Sequence, residues 1–461
     1  MIVKSGAPSN TEVISSFVAT VTERDLPPEV VDTARLCLAD WAAVCVGAHK
    51  EPAARTVHAV SRTWSASGSS TMMLGGRSNA SVAALCNGTL AHCLDFDDTY
   101  VSANTHASAP LWAAALALGE EINATRMALL MAFIAGFEVT ARVGYGLGEA
   151  VTGRGWHATG AFGRIGSAAA CASLLQLNET RVAHSLGAAA TQVSGLVGSF
   201  GTMSKPFHAG KAAMDGVISA QLAAADFEAS THLLEPGQSL DGALIQDRAA
   251  TIRPADFSTW ELLNNSFKPY AACHLGHAAI DAARELGRTM TNEDRKALHR
   301  IDIYVGELAH QVIGGKNGVP TTPLEAKFDL KYCVALAMHG SRLSADDFHD
   351  TPDPAGSTVS LARSVHIHPS KECGYTSARI EAEFIDGSVR TGYVSVAKGH
   401  PGNPMSWNDM WQKFQALVEP VASARTEEIF EVIRQFGGRG ETASPLVGLL
   451  SRAMQKQAGR P

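Results

Sequence analysis

Along the first 266 residues, apolar side chains recur at the three- and four-residue spacing of helices, separated by short polar or glycine-rich breaks. Val13, Ile14, Phe17, Val18 and Val21 mark the first stretch, over 11–23. Pro27 and Pro28 introduce the second, EVVDTARLCLADWAAVCVGA, and proline is well placed at a helix start. The pattern predicts further helices over 51–66, 79–94, 109–120 and 125–146. The last of these is apolar almost all round, which marks a central helix rather than a surface one. GSSTMMLGGRSN, VTGRGWHATGAFGRIG and GTMSKPFHAGKAAMDG read as loops. The second loop leads into the helix SAAACASLLQL and the third into ISAQLAAADF, with one more small-residue helix over 180–199. No convincing strand precedes residue 266.

Beyond that point the period changes. RIDIYV (300–305) and SVHIH (364–368) alternate apolar and polar positions, and ARIEAEFIDGSVRTGYVSV (378–396) does so on both sides of Asp386-Gly387, a strong hairpin signal. EAKFDLKYCVALAMHG reads as a helix within this segment, and MWQKFQALVEP and EIFEVIRQFG as amphipathic helices after it. The predicted fold is mainly α. An all-helical bundle domain is formed by 1–266 and completed by 403–461, and a smaller α+β lid domain spans 267–402.

Composition narrows the function classes. A formal net charge of −7 supplies no overall basic field, so neither nucleic acid nor an anionic membrane surface is an expected partner. No apolar run reads as long enough and free enough of polar residues to span a bilayer. Cys37, Cys45, Cys86, Cys93, Cys171, Cys273, Cys333 and Cys373 are scattered without a CxxC pair, the pattern of reduced thiols. The stretch MIVKSGAPSNTEV lacks the apolar core of a signal peptide. Both observations point to a cytoplasmic protein.

Candidate chemistry begins at HCLDFDDTYVSANTHASAP (92–110), which gathers Asp95, Asp97, Asp98, Thr99 and His106 between two small, apolar helices. Ionisable groups in such a place are costly unless paired, hydrated or used. The plain alternative is helix capping, for which Asp and Thr are common. Four later stretches share this character: His157 in GRGWHATGAFGRIG, Lys205, His208 and Lys211 in SKPFHAGKAAMDG, Lys268, Tyr270, His274 and His277 in FKPYAACHLGHAAIDAA, and Tyr332 in AKFDLKYCVALAM. GRGWHATG lacks the spacing of a phosphate loop and no strand precedes it. His274 and His277 lie three apart, yet no further Cys or His completes a zinc-like spacing, and the aspartates lack that of a calcium loop. No metal and no cofactor is therefore expected. Cationic donors bordering buried helices in an acidic chain suit a pocket for a small polyanion. Asp95 and Tyr332 add an acceptor and a weak acid for moving a proton.

Taken together, LAHCLDFDDTY…THASAP, GWHATGAFGRIGSAAA, SKPFHAGKAAMDG, KPYAACHLGHAAIDAA and AKFDLKYCVALAM resemble the MmgE/PrpD family over nearly the whole chain. That family includes 2-methylcitrate dehydratase, cis-aconitate decarboxylase and iminodisuccinate epimerase. The resemblance implies a homodimer, a helical domain with an α+β lid, and a metal-free site for small di- or tricarboxylates. It places the decarboxylase branch's site positions on Asp95, Thr99, His106, His157, Lys205, His277 and Tyr332. Two departures stand out: Ala107 occupies a position where many relatives carry proline, and the spacer between Thr99 and His106 is slightly longer.

The expected activity is a cofactor-independent lyase reaction on a small polycarboxylate, with dehydration of the 2-methylcitrate dehydratase type first and decarboxylation beside it. Asp95, His106, His157, Lys205 and Tyr332 are the candidate catalytic residues, and Thr99, His208, Lys268 and His277 the candidate substrate-binding ones. Lys205, His157 and His277 would hold carboxylates. His106 or Asp95 would serve as base, and Tyr332 or a histidine as acid. Two alternatives remain open: epimerisation at a carbon next to a carboxylate, and non-catalytic carboxylate binding.

Overall fold

The computed structural model describes residues 8–458 apart from 24, 65–66, 238, 439–441 and 443. The first seven residues, part of the stretch read for a signal peptide, lie outside the described residues, as do 65–66 at the end of a predicted helix. The chain divides into two compact units, one made of residues up to Ser266 together with Met410 onward, the other of Phe267–Asp409.

The first unit is built from helices α1 (Asn10–Thr20), α2 (Pro28–Gly47), α3 (Pro52–Thr63), α4 (Ala80–His92), α5 (Ser108–Glu121), α6 (Arg126–Gly144), α7 (Gly148–Gly153), α8 (Ala158–Leu174), α9 (Glu179–Ala190), α10 (Ser204–Ala224) and the short α11 (Leu240–Leu244). Four of these starts are fixed by side-chain caps: Ser9 forms a capping box with Glu12 before α1, and Asn79, Thr125 and Asn178 accept from Val82, Ala128 and Arg181 at the starts of α4, α6 and α9. The core comes from small residues: α10 packs against both α4 and α8 through alanine and glycine. Gly88 and Gly210 meet where α4 crosses α10, so closely that a methyl group on Gly88 would stand 2.9 Å from the Gly210 Cα.

Two segments read from sequence as loops are helical. α8 starts at Ala158 and takes in ATGAFGRIG, and α10 starts at Ser204 and takes in KPFHAGKAAMDG. Glycine is a poor helix former in isolation. Here its missing side chain admits neighbours: a methyl on Gly160 would stand 2.6 Å from the Ser194 carbonyl oxygen, and one on Gly163 2.8 Å from Pro110. Conversely, the helix predicted over 180–199 stops at Ala190, and Gly195 follows in left-handed backbone with φ 110°. A two-residue ladder, β1 (Ser70–Thr71) with β2 (Arg77–Ser78), supplies the strands found among the described residues of the first unit, its turn closed by Gly75 and Gly76 at positive φ. α6 also overturns a sequence expectation: by length and composition alone it is apolar enough to cross a bilayer. Its side chains are instead buried within the first unit, largely against α8 and α5.

The second unit holds a four-stranded sheet of β3 (Leu298–Val305), β4 (Val365–Pro369), β5 (Ala378–Phe384) and β6 (Val389–Val394) in the order β4-β3-β5-β6. β3 runs parallel to β4 and antiparallel to β5, and β5 and β6 form the hairpin over Asp386-Gly387, where Gly387 takes φ 81°. α12 (His277–Arg288) packs on β5 and β6. The helix predicted through EAKFDLKYCVALAMHG is two, α15 (Pro323–Lys327) and α16 (Leu330–Met338), because Asp329 caps the second by accepting from the Tyr332 N–H. The other short helices of this unit are α13 (Asn292–Ala297), α14 (Glu307–Ala309) and α17 (Ser357–Ala362). α18 (Trp407–Ala422) leads back to the first unit, which α19 (Thr426–Arg434) and α20 (Ser444–Ala458) complete.

Candidate active site

The loop between α4 and α5 carries the first cluster. α4 ends in a turn that puts Asp95 in left-handed backbone, φ 52°. Aspartate tolerates that region better than most residues, at a cost of about 1–3 kcal/mol when held there by its surroundings. The loop is then pinned at Thr99, whose N–H and C=O bond to Ser266, and at Tyr100, which pairs with Thr105. The His106 N–H donates to Thr159 in the first turn of α8.

Three elements of the first unit aim their side chains into one place. Lys205, in the first turn of α10, donates to Asp95 Oδ1 at 2.6 Å. His106 sits between two carboxylates, Nε2 at 3.9 Å from Asp95 Oδ1 and Nδ1 at 3.4 Å from Asp97 Oδ2. The same Asp97 oxygen accepts from His92 Nδ1 at 2.8 Å. The His92 ring lies edge-on to His106, centroids 4.7 Å apart, and stacks with His157 at 5.8 Å. His157, at the start of α8, shares a hydrogen bond with His208 of α10 between their Nδ1 atoms at 3.1 Å. Phe200 walls this group, its ring edge-on to His157 and 5.2 Å from the Lys205 ammonium.

The electrostatics follow from burial and neighbours. Burial alone would raise the Asp97 carboxyl, but the His92 and His106 imidazoles outweigh it and hold the group well below the usual carboxylate range. Burial pushes His92 down against the pull of Asp97. Burial, with His92 and Lys205 nearby, drives His157 well below the usual imidazole range, and burial lowers His208 too. At neutral pH these three rings are uncharged and carry one N–H each; His92 gives its own to Asp97, and one is shared between His157 and His208.

Asp95, His106, His157, Lys205 and His208 are thus brought together. Thr99 belongs to the same loop, and its Oγ1 is buried without a hydrogen-bond partner among the described residues. The sequence reading missed His92 and passed over Asp97, though both stood in the stretch it singled out. His92 Nε2 and Asp97 Oδ1 are also buried without a partner among the described residues. A histidine and an aspartate five residues apart across a helix end were the available signal. His92, Asp97 and His106 each offer one ligand atom within 4.8 Å of the others, donors that suit an imidazole–carboxylate metal site, which sequence spacing did not suggest. Asp97 Oδ2 thus takes one hydrogen bond, from His92, and stands 3.4 Å from His106 Nδ1, itself a buried atom without a hydrogen-bond partner among the described residues. Lys211 is turned away, paired with Asp215.

Lys268, His277 and Tyr332 lie in the second unit, all buried. His277, at the start of α12, has Nε2 3.1 Å from the Ala272 carbonyl, a contact that requires that nitrogen to carry the proton. Its ring lies edge-on to Tyr270 and His274. Tyr332 opens α16, and burial raises its phenol above the ordinary value.

Comparison with known proteins agrees with this arrangement of motifs. The MmgE/PrpD N-terminal domain matches residues 12–252 and the MmgE/PrpD C-terminal domain residues 270–436. Human cis-aconitate decarboxylase is 26% identical over 370 residues, covering 76% of each chain. The cis-aconitate decarboxylase of Aspergillus terreus is 24% identical over an alignment of 479 positions, covering 97% of this chain and 96% of its own. With both domains matched in order along the sequence, the chain belongs to the MmgE/PrpD family.

Proposed function

We propose that this protein is a cofactor-independent lyase of small polycarboxylates, and that decarboxylation of a tricarboxylate such as cis-aconitate is its reaction. The observation that carries this reading is the Lys205–Asp95 pair ringed by His92, His106, His157 and His208. A substrate carboxylate would compete with Asp95 for the Lys205 ammonium. Of the neutral His157 and His208 rings, the one that accepts at Nδ1 in their shared hydrogen bond carries its proton on Nε2 and would donate it to the substrate carboxylate. When the carbon–carbon bond to the methylene-borne carboxyl group breaks and CO₂ leaves, its electron pair is spread through the adjoining double bond to the far carbon, which bears another carboxylate. His106 then delivers a proton to that far carbon as the double bond shifts toward the carbon that lost CO₂. Asp97 Oδ2 lies 3.4 Å behind Nδ1, and a side-chain exposure of 14% opens His106 to proton exchange with water.

The names of the relatives favour decarboxylation over the dehydration that led the sequence-based expectation. Dehydration would use the same groups with His106 removing a proton first. Lys268, His277 and Tyr332 retain their proposed roles in substrate binding and proton donation, to be tested by their own variants. The deciding experiment is proton NMR of the protein in D₂O with cis-aconitate, citrate, 2-methylcitrate and iminodisuccinate. Loss of one carboxylate from cis-aconitate, with the double bond shifted and deuterium at the far allylic carbon next to a remaining carboxylate, is the expected result. Loss of water from a hydroxy acid would establish a dehydratase instead. Deuterium entering next to a carboxylate with no other change would establish an epimerase. Ligand-induced stabilisation without turnover of any acid would overturn the catalytic reading.

A further inference from the structure

Asp97 takes the hydrogen bond of His92 and stands beside His106, and both peptide groups flanking it are gripped from behind. On one side, the Phe96 carbonyl accepts from the Lys413 ammonium at 2.6 Å. On the other, the Asp98 N–H donates to Asp40 Oδ2 at 3.0 Å. Lys413 and Asp40 are themselves joined, Nζ to Oδ1 at 2.5 Å, and the ammonium lies 3.9 Å from the centre of the Phe96 ring. One ion pair therefore brackets Asp97. Its members come from α2 and α18, 373 residues apart in sequence. Asp40 is fully buried and Lys413 is 6% exposed.

A pair used only to dock α18 against α2 would be a poor choice. Burying two charges costs several kcal/mol each after relaxation, and apolar residues of similar volume often dock helices as well or better. What an apolar pair cannot do is donate to one backbone carbonyl and accept from the N–H two residues on. We propose that Lys413 and Asp40 are positioning residues whose task is to fix the backbone of Asp97 and, through its carboxylate, the directions of the His92 and His106 rings. This rests on the reading of the histidine cluster as a catalytic centre, and its test includes a signal that does not depend on turnover.

Lys413→Met alone leaves Asp40 charged and unpaired in the interior, and can fail to fold for that reason. The double variant Asp40→Asn with Lys413→Met removes both charges of the pair together, keeps an acceptor for the Asp98 N–H and removes the ammonium that holds the Phe96 carbonyl. We expect this variant to fold, with a melting curve near that of the parent. Its proton NMR spectrum should show the downfield imidazole N–H signal of His92 shifted or broadened; the signal is assigned by its loss in His92→Gln. On the acid that the NMR panel identifies, kcat should fall about 10- to 100-fold while KM changes little, the pattern of misplaced catalytic groups rather than lost binding. A double variant that folds and keeps both the imidazole signal and kcat overturns the proposal. So does one that no longer folds, since the pair would then serve stability. If no acid is turned over by the parent, the proposed reaction fails, yet the imidazole signal still decides whether the pair positions Asp97.

Discussion

Two buried polar clusters share helices α8 and α10, and they are finished to different degrees. Inward along the helices, Arg164 spends every nitrogen: Nε on Asp215 at 2.8 Å, one terminal nitrogen on the Gly160 carbonyl at 2.6 Å and the other on Ser194 at 2.9 Å. Lys211 takes the second Asp215 oxygen. At the helix starts, His157, His208 and Lys205 meet His92, Asp97 and His106 in a group that leaves His92 Nε2, His106 Nδ1 and Asp97 Oδ1 without a hydrogen-bond partner among the described residues. Buried polar atoms are rarely left so. A saturated cluster is a structural rivet. An unsaturated one made of the same residue classes holds hydrogen-bonding capacity in reserve for a ligand. Burial and charge alone do not separate the two; counting unmet donors and acceptors does.

The difference can be broken by mutation. His106→Ala should lower turnover about 10²- to 10⁴-fold, the range for loss of a general acid or base, with the melting temperature close to that of the parent. Steady-state rates and thermal melts on the same preparation check it. Asp215→Ala should do the reverse, costing about 3–5 kcal/mol of stability by stranding Arg164, while the folded fraction keeps its specific activity. Denaturant titration measures that loss. If the two variants behaved alike, the distinction would be lost.

Ligand binding sharpens it further. A tricarboxylate at about 100 times its Kd should stabilise the parent by about 2.7 kcal/mol, and Lys205→Met should abolish most of that shift. Lys211→Met should leave it intact. Calorimetric melts with and without the acid read both.

The smallest effect is in the pH dependence. His92, His157 and His208 are held below the usual imidazole value, so the unfolded chain binds their protons more readily than the folded one. Stability from these rings is complete above their unfolded value of about 6.5 and is lost as pH falls below it. Asp98 runs the other way. Burial and Asp40 push it up to about 7, so its contribution declines as pH rises from about 4 toward 7. An Asp98→Asn background should therefore expose the histidine slope, and adding His157→Gln should flatten it. Melting temperatures from pH 5 to 8 test this.

Much of this was legible in the chain, for reasons that differ by region. The β5–β6 hairpin followed from Asp386-Gly387 because the turn needs a left-handed residue and the flanking strands alternate. α2 and α6 followed from their periodicity and starts. The glycine-rich openings of α8 and α10 were misread because propensity describes a helix in water, where glycine has no compensation. In the core, close contact with Pro110, Ser194 and α4 supplies it. In the candidate site, residue types picked out Asp95, His106, His157, Lys205 and His208. They did not reveal which aspartate would stand beside two histidines, since that depends on one left-handed turn at Asp95. Lys413 was invisible in principle: nothing local to it announces a partner 373 residues earlier.

The glycine crossing of α4 and α10 sets a limit on how such a protein can diversify. A methyl on Gly210 would run into Thr89 and the Leu85 carbonyl, and one on Gly88 into Gly210. These two positions are closed to drift. The residues just beyond the helix ends are free of that constraint. New specificities can therefore arise by exchanging side chains around an invariant hinge point, with no change in the spacing of the helices that present them. Across lineages, chemistry would vary at the tips of α4 and α10 while their crossing stays fixed.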